Sequence, residues 1–345
     1  MKAWQYDAVA AVPQWRELPD PVCPQDGVVV RVGATGICRS DWHAWRGHDP
    51  VALPLVPGHE FAGTVVDIGP LVRAVTVGQR VTAPFVLGCG RCELCRSGDA
   101  QVCPDQLQPG FTLPGSFAEL VAVPRADFNV VRLPERVSVV AGAALGCRFG
   151  TAYRALITHA RVGPGQWVVV FGCGGLGLSA VMIAVALGAR VVAVDPSPAA
   201  AARAAELGAE AVLSPAPGGN PVSEIMEITG GGAQVGLDAI GAAAVIGWSV
   251  ASLRRRGRHV QAGLVFAPVA VPLELVIARE LEIYGSHGMP ARDYPALLEL
   301  VAAGTLAPQR LIGRQIRLDE AGTFMTTMAD RKDSADGLVI AVAHG

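Results

Sequence analysis

Two short segments near the beginning of the chain carry side chains that bind transition metals. The segment 36–43 contains Cys38, and the segment 57–63 contains His59 followed directly by Glu60. Thiolate and neutral imidazole are ligands that Zn²⁺ prefers, and a carboxylate can join them. Packing in the core is the alternative role for a Cys or a His in so apolar a chain. The zinc hypothesis therefore depends on what the rest of the sequence contains.

A second candidate metal site is a group of closely spaced cysteines with the pattern C-x2-C-x2-C-x7-C. Its members are Cys89, Cys92, Cys95 and Cys103. Four thiolates at this spacing, separated by Gly and charged residues, predict a closed tetrahedral zinc site. A closed site leaves no coordination position for a substrate, so we predict a structural role and a segment whose folding depends on the metal. The alternatives are reduced thiols on a loop and disulfides.

A third motif predicts binding of a dinucleotide. The sequence Gly172-Cys173-Gly174-Gly175-Leu176-Gly177 fits G-x-G-x-x-G, with an apolar strand predicted before it and a helix after it. In this motif the backbone approaches a pyrophosphate at a helix N-terminus. Asp195 ends the next predicted strand, where its carboxylate can accept hydrogen bonds from ribose hydroxyls and repel a 2′-phosphate. The alternative is a tight strand–helix turn without a ligand.

Cys147 is a candidate third ligand for the first metal site. It lies in the stretch 144–151, where a β-rich part of the sequence gives way to alternating strands and helices. A junction between two domains is where a cleft is expected, so Cys147 can complete a set with Cys38 and His59. Three protein ligands and one open position are the arrangement of a catalytic zinc. Cys23 and Cys173 need no such role.

These candidate sites require two kinds of scaffold. Residues 1–150 contain short β-type runs broken by Gly and Pro, which predict a mostly β catalytic domain that includes the cysteine segment 88–104. Residues 151–284 alternate apolar strands with helix-length stretches, which is typical of βαβ units and a parallel sheet. The predicted strands are 167–171, 190–194, 235–238 and 259–262, and the predicted helices are 176–187 and 199–207. Residues 285–345 are expected to return to the first domain through the apolar run 338–342.

Composition narrows the class of protein further. The chain has 345 residues, which predicts two domains, and 51% of them are hydrophobic. A net charge of −2 provides no basic field for nucleic acid or an anionic membrane, so neither is expected as a partner. We find no signal peptide pattern, and runs such as 176–187 are too short to span a bilayer. We therefore expect a cytoplasmic protein whose eight cysteines serve metal binding or catalysis.

Together the motifs resemble the zinc-dependent medium-chain alcohol dehydrogenases nearly from end to end. The resemblance implies a barrel-like, GroES-like catalytic domain and a doubly wound nucleotide-binding domain, the Rossmann fold, inserted before the C-terminal tail. It implies reversible hydride transfer between a primary or secondary alcohol and NAD, which gives an aldehyde or ketone. It also implies two zinc ions per chain and a homo-oligomer, either a dimer or a tetramer.

The resemblance implies roles for the residues around the first metal site. Cys38, His59 and Cys147 bind the catalytic zinc, and Glu60 lies beside it and transiently replaces a bound water. Asp41 orients the ligating imidazole. Ser40 and His43 relay the alcohol proton to solvent by way of a cofactor hydroxyl.

Further roles concern the cofactor and the substrate. The implied cofactor-binding residues are Arg39, Thr151, Gly172, Gly174, Gly175, Leu176, Gly177, Asp195 and Arg203. Arg39 pairs with the pyrophosphate. Trp45 and Phe85 correspond to residues that line the alcohol pocket, although both could equally be ordinary core residues.

Two departures from the family pattern bear on cofactor affinity and on substrate choice. Relatives often carry a Lys at the position of Ala200, where Arg203 is the available substitute. Polyol dehydrogenases carry a Glu at the position of Cys147, which favours simple alcohols here. A polyol or L-threonine dehydrogenase is the alternative enzyme. A zinc-free reductase would lack the metal ligands, and a non-catalytic zinc protein would have a broken relay or a missing ligand.

Overall fold

The computed structural model of the chain describes residues 1–216, 218–328 and 337–343. The rest of the predicted C-terminal segment, 329–336 and 344–345, lies outside the described residues. The strands are β1 (Lys2–Gln5), β2 (Gln14–Glu17), β3 (Val28–Ile37), β4 (Glu60–Ile68), β5 (Arg80–Thr82), β6 (Leu120–Val123), β7 (Val131–Arg132), β8 (Trp167–Phe171), β9 (Arg190–Val194), β10 (Ala211–Leu213), β11 (Ala233–Asp238), β12 (Leu253–Gln261), β13 (Glu282–Gly285), β14 (Ile312–Arg317) and β15 (Leu338–Val342).

The helices are mostly short. They are α1 (Arg39–Trp45), α2 (Glu93–Ser97), α3 (Ala126–Asn129), α4 (Val139–Ala144), α5 (Cys147–Arg154), α6 (Gly175–Ala186), α7 (Pro198–Glu206), α8 (Val222–Ile228), α9 (Ala243–Ala251), α10 (Leu273–Arg279), α11 (Tyr294–Ala302) and α12 (Ala321–Thr327). Helix α5 continues as a π-helical turn over Ala155–His159. The structure divides into two units, one containing residues 1–150, 288–328 and β15, and the other containing Thr151–His287.

The second unit is built on a six-stranded parallel sheet. Its strand order is β10-β9-β8-β11-β12-β13, which is the doubly wound order with the first strand of the unit in the middle. The central strand β8 is buried along its whole length, as expected for a parallel sheet covered on both faces. Helix α6 leaves the carboxyl end of β8 through the glycine loop, so the loop lies at the edge of the sheet where nucleotides bind in this fold.

The first unit is built on a mostly antiparallel, seven-stranded sheet. Its order is β14-β15-β3-β4-β5-β7, and β6 pairs with the first half of β3. Strand β15 pairs with the second half of β3, so the C-terminal run 338–342 does return to this unit. Buried valines of β3, β4 and β6 pack around Phe61 to form the core. The predicted fold class, a GroES-like β domain with a doubly wound parallel domain, is confirmed.

The central strands of the first unit bring two candidate ligand segments together. Strand β3 ends at Ile37, directly before Cys38, and β4 begins at Glu60, directly after His59. Because β3 and β4 are antiparallel and pair Gly36 with Glu60, the end of one strand lies beside the start of the other. Sheet register thus places Cys38 near His59.

The helices in the described part of the chain include none with the length and apolar character needed to span a membrane.

Candidate functional site

A buried carboxylate joins the two ligand segments of the first metal site. Asp41 accepts hydrogen bonds from the backbone N–H of Cys38 at 2.9 Å and of Gly58 at 3.1 Å. Its Oδ1 also lies 2.9 Å from Nδ1 of His59. The contact with the N–H of Cys38 caps the start of helix α1. The contact with Nδ1 fixes the imidazole of His59, so Nε2 is the nitrogen left to bind a metal.

The donor atoms of four residues converge at this point. One ligand atom each from Cys38, His59, Glu60 and Cys147 lies within 4.8 Å of all the others. Nε2 of His59 is fully buried and has no hydrogen-bond partner in the described part of the chain, although buried nitrogens of this kind are normally satisfied. Two sulfurs, one imidazole nitrogen and a carboxylate suit Zn²⁺. The residues present therefore fit a zinc ion.

Electrostatics at the site favour a thiolate at Cys38. Hydrogen bonding from Cys147 lowers the pKa of Cys38 well below its usual value, with burial opposing this effect and His59 and Arg148 adding to it. The same contact with Cys38, together with burial, raises the pKa of Cys147. Only the thiolate form of cysteine binds metal. A cation between the two sulfurs would stabilise that form at both residues.

Glu60 has a partner that sequence reasoning missed. Its carboxylate accepts hydrogen bonds from the backbone N–H of Arg148 at 2.9 Å and from Nε at 3.1 Å, and Nη2 of Arg148 contacts the second oxygen. Burial raises the pKa of Glu60, although Arg148 acts in the opposite direction. The available signal was the position of an Arg directly after the ligand Cys147, in a chain segment that is otherwise apolar.

The two relay candidates lie on helix α1, one turn apart. The hydroxyl of Ser40 lies 3.7 Å from Sγ of Cys38, so it borders the metal site. His43 is half-buried, and its Nδ1 lies 3.0 Å from Nδ1 of His48. His48 is exposed and was not predicted. Burial, followed by the charges of His48 and Arg39, lowers the pKa of His43, which keeps a neutral imidazole available near neutral pH.

The two predicted pocket residues occupy different surroundings. Phe85 is buried with its ring 5.9 Å from that of His59, edge to face. Phe111, which was not predicted, lies on the same imidazole at 5.2 Å. Trp45 donates its indole N–H to the carbonyl of Ala11 at 2.7 Å and belongs to a core cluster of the first unit. Phe85 therefore lies at the metal site, whereas the contacts of Trp45 are those of a core residue.

The four cysteines of the second metal site form a compact lobe. Sγ of Cys89 lies 3.9 Å from Sγ of Cys95, and Sγ of Cys92 lies 3.7 Å from Sγ of Cys103. Four sulfurs placed tetrahedrally at zinc–sulfur distance lie about 3.8 Å apart. All eight cysteines of the chain are free thiols, so the spacing reflects no disulfide. This group also fits a zinc ion.

The backbone of the lobe points its N–H groups at the sulfurs. Sγ of Cys89 accepts from the N–H of Arg91 at 3.4 Å and of Cys92 at 3.3 Å, and hydrogen bonding, led by the contact with Arg91, lowers the pKa of Cys89 to about 6. Sγ of Cys92 accepts from the N–H of Cys95 at the start of helix α2. Such contacts stabilise thiolates. Burial has the opposite effect on two of the sulfurs, since it raises the pKa of Cys95 to about 12 and also raises the pKa of Cys103. A bound cation would therefore be needed to hold all four cysteines as thiolates.

In the second unit, the glycine loop has the conformation that its motif requires. Gly172 has a φ of +92°, and a Cβ on Gly177 would lie 1.6 Å from the carbonyl oxygen of Gly172, so neither position accepts another residue. A Cβ on Gly174 would meet nothing within 4 Å, which leaves space beside the backbone at the start of α6. Gly175 and Leu176 form the first turn of that helix, whose N-terminus favours an anion.

Asp195 directly follows strand β9 and is buried beside this loop. Its carboxylate accepts hydrogen bonds from the N–H of Cys173 at 2.7 Å and of Ser197 at 2.8 Å. The carboxylate is therefore held at the carboxyl edge of the sheet. Position 200 is a fully buried alanine in helix α7, and Arg203 lies one turn further along the same helix.

The remaining cofactor candidates lie on two helices. Arg39 is the first residue of α1 and its guanidinium lies 5.6 Å from the ring centre of Trp42. Thr151 is buried in α5, where its carbonyl accepts from the hydroxyl of Ser286 at 3.4 Å. Neither placement tests the expected cofactor contacts of Arg39 and Thr151, so these roles stay predictions.

Known proteins match the chain over most of its length. The family model "Alcohol dehydrogenase GroES-like domain" matches residues 24–135, and "Zinc-binding dehydrogenase" matches residues 175–303. An alcohol dehydrogenase of Geobacillus stearothermophilus is 33% identical over 297 residues, which cover 85% of this chain and 86% of that protein. A probable D-xylulose reductase A of Aspergillus terreus is 35% identical over 317 residues, which cover 88% and 87%.

A solved structure gives the same result. The alcohol dehydrogenase TADH from Thermus sp. ATN1 matches with a TM-score of 0.92 at 30% identity, over 100% of both chains. The fold and the metal site define a zinc-binding oxidoreductase that acts on small molecules. The chain belongs to the zinc-dependent medium-chain alcohol dehydrogenase family.

Proposed function

We propose that this protein is an NAD-dependent zinc alcohol dehydrogenase that interconverts a primary or secondary alcohol and the corresponding aldehyde or ketone. The observation that carries the proposal is the buried Nε2 of His59, which has no hydrogen-bond partner among the described residues and lies beside the sulfurs of Cys38 and Cys147, with Asp41 behind the imidazole. Three such ligands leave one coordination position for a substrate. We further propose that the cysteine lobe holds a second, structural zinc.

The proposed chemistry assigns each residue at the site a task. When bound, zinc supplies a Lewis acid that acidifies an alcohol and polarises a carbonyl group. Asp41 keeps the imidazole of His59 in one tautomer and one orientation. The rings of Phe85 and Phe111 cover the imidazole and exclude water from that side, which strengthens the electrostatic interactions within the site.

Proton transfer is assigned to the polar face of helix α1. Ser40 borders the sulfur of Cys38, so its hydroxyl is placed to accept a proton from a substrate bound there. His43 lies one turn further along and is paired with the exposed His48. We infer that the proton reaches solvent through His43. A depressed pKa supports this role, because the imidazole stays neutral and able to accept a proton.

The choice of NAD rests on Asp195. Its carboxylate is held at the carboxyl edge of the sheet, next to the N–H of Cys173 in the glycine loop, the position from which ribose hydroxyls are bound in doubly wound folds. A fixed negative charge there would repel a 2′-phosphate. Arg203 on the following helix is the candidate for a compensating cation in place of the Lys absent at Ala200. We also propose that the protein works in the cytoplasm, which suits its free thiols, and that it forms a homo-oligomer.

A polyol or L-threonine dehydrogenase is the second candidate. The probable D-xylulose reductase A is as similar to this chain as the alcohol dehydrogenase is. Cys147 favours simple alcohols, since the polyol branch of the family carries a Glu at this position. The two candidates share the metal, the fold and the cofactor, so only the substrate separates them.

Initial-rate measurements with a panel of substrates test the proposal. Primary, secondary and aromatic alcohols, polyols and L-threonine are each assayed with NAD and NADP. We expect the highest kcat/KM with a simple alcohol and NAD. Turnover of polyols or L-threonine above all simple alcohols would favour the second candidate, and absence of any turnover would contradict the proposal. Cys38→Ser and the matched variant Cys23→Ser, which alters a cysteine outside both metal groups, distinguish loss of the site from general damage.

A further inference from the structure

The carboxylate of Glu60 lies close enough to the other donor atoms to bind the catalytic metal. Both of its oxygens, however, already contact Arg148. One oxygen lies within 4.8 Å of the donor atoms of Cys38, His59 and Cys147. The backbone N–H and Nε of Arg148 both donate to Oε1, and Nη2 contacts Oε2. Both side chains are buried, with 1% of the Glu60 side chain and 10% of the Arg148 side chain exposed.

The surrounding backbone is shaped around this pair. A Cβ on Gly36 would lie 2.3 Å from Oε2 of Glu60 and 3.0 Å from Nη2 of Arg148. A Cβ on Gly146 would lie 2.8 Å from both Cβ and Cγ of Glu60. Real Cβ atoms do not approach so closely, so both positions must be glycine for the pair to form. The ion pair therefore occupies a site built for it.

The chemistry of the two groups suggests why the pair is there. A buried carboxylate without a partner is strongly unfavourable and will bind a nearby cation or a proton. An arginine remains charged, accepts no hydrogen bonds and holds both oxygens of a carboxylate at once. Arg148 also directly follows the ligand Cys147, so the chain that positions a metal ligand positions the competing cation as well.

We propose that Arg148 is a positioning residue that holds the Glu60 carboxylate away from the catalytic metal and thereby reserves the fourth coordination position for an exogenous ligand. This inference rests on the proposed zinc site. It predicts that Glu60 becomes a metal ligand when the guanidinium is removed, and that small ligands then have to displace it.

Azide binding to the cobalt-substituted protein tests the inference without reference to turnover. Visible absorption reports the coordination of Co²⁺, and the cysteine lobe, which is closed by four thiolates, provides a background that azide does not change. For Arg148→Met we expect altered cobalt bands and azide binding that is weaker by about 10–100-fold, the usual effect of changing a residue that orients a metal ligand.

Two further variants separate the carboxylate from the lost positive charge. The double variant Glu60→Gln/Arg148→Met also lacks the guanidinium, but its neutral amide is a poor ligand, so azide affinity should return to near the wild-type value. Arg148→Lys keeps the charge and loses the two-pronged contact, and we expect azide affinity between those of wild type and Arg148→Met. Its result decides the question if Arg148→Met does not fold.

Each result bears on the inference in a definite way. Wild-type azide affinity and cobalt bands in Arg148→Met, or in Arg148→Lys if only that variant folds, would overturn it. Weak azide binding that persists in the double variant would assign the effect to lost charge and would also overturn it. A wild-type protein with no azide-sensitive cobalt would contradict the proposed function itself, and the inference with it.

Discussion

The two candidate metal groups of this chain have similar ligands but differ in where the ligands come from in the sequence and in what surrounds them. The lobe takes its four sulfurs from one short segment, and its own backbone N–H groups point at them. The other group takes Cys38, His59 and Cys147 from three separate parts of the sequence and depends on sheet register to bring two of them together. It also contains the carboxylate of Glu60, which accepts a hydrogen bond from Arg148.

On the proposed assignment, one group is a closed metal site and the other keeps a coordination position open. In the lobe, the fourth donor is one more cysteine sulfur, which would complete the coordination of a zinc ion. In the other group, the fourth donor, Glu60, is engaged by Arg148, and the buried nitrogen of His59 has no partner among the described residues. We therefore expect damage to the lobe to reduce stability, and damage to the other group to reduce activity.

The largest expected effect comes from removing one cysteine of each group in turn. Cys38→Ser should lower kcat/KM on the order of 10⁴-fold, because the Lewis acid contributes several kcal/mol to the barrier. Its melting temperature should change little. Cys92→Ser should do the reverse, lowering the melting temperature by roughly 5–15 °C, since a structural zinc supplies folding energy. Steady-state rates and thermal unfolding of both variants check the contrast, and equal effects on both measurements would break it.

The proposed proton relay predicts unequal losses of activity when its two residues on helix α1, Ser40 and His43, are replaced. Ser40→Ala should lower the rate of alcohol oxidation by about 10²–10⁴-fold, the usual contribution of general acid–base groups. His43→Ala should lower it much less, because water can partly replace a group near solvent. Added buffer base should restore part of the His43→Ala rate at neutral pH.

The control for the relay is metal content. Both variants should retain zinc, and Ser40→Thr, which keeps a hydroxyl, should retain most of the activity. Equal losses in Ser40→Ala and His43→Ala with full zinc occupancy, and no rescue by buffer, would mean that the proton leaves by another route.

Asp41→Asn should lower the metal affinity of the Cys38/His59/Cys147 group and leave that of the cysteine lobe unchanged. The carboxylate of Asp41 contacts the imidazole of His59 and accepts from the N–H of Cys38, and in the described structure it makes no hydrogen bond with the lobe. Changing such a residue typically lowers metal affinity about 10–100-fold. Titration with a chelator should therefore remove one zinc earlier than in wild type and the other at the unchanged concentration. Earlier loss of both metals would show that the two groups are not independent.

The smallest effect is expected for the cofactor. Asp195→Gly should lower kcat/KM with NAD about tenfold, the range expected for losing hydrogen bonds to a charged group. The preference over NADP should narrow, and it should reverse only if Arg203 reaches the 2′-phosphate. Glu206→Gln, which removes a negative charge from the same helix as Arg203, is the control and should leave the preference unchanged. A native enzyme with higher kcat/KM for NADP than for NAD would refute the assignment of Asp195.

Sequence reasoning reached the parts of the molecule that local pattern determines. The C-x2-C-x2-C spacing predicts the lobe because its ligands are neighbours in the chain, and the glycine loop is recognisable because Gly172 and Gly177 have no substitutes. The predicted strands Trp167–Phe171 and Arg190–Val194 have the bounds that the structure shows, and the apolar run 338–342 forms strand β15. Each of these features depends on short-range chemistry.

Contacts between distant segments were less accessible. The pairing of Glu60 with Arg148 joins residues 88 positions apart, and the approach of Phe111 to His59 depends on how a loop folds back. The sequence left Trp45 between a pocket role and a core role, and its contacts with the carbonyl of Ala11 and with a core cluster come from the structure alone. No periodicity or spacing encodes such contacts, so they require the three-dimensional structure.

The central claim is that the chain holds one closed and one open zinc site, and a count of zinc per chain tests it most directly. Zinc is measured by elemental analysis in the purified wild type, Cys38→Ser and Cys92→Ser, with Cys23→Ser as the control. We expect about two zinc ions in the wild type and the control, and about one in each of the other variants. About one zinc in the wild type, unchanged by Cys38→Ser, would contradict the account.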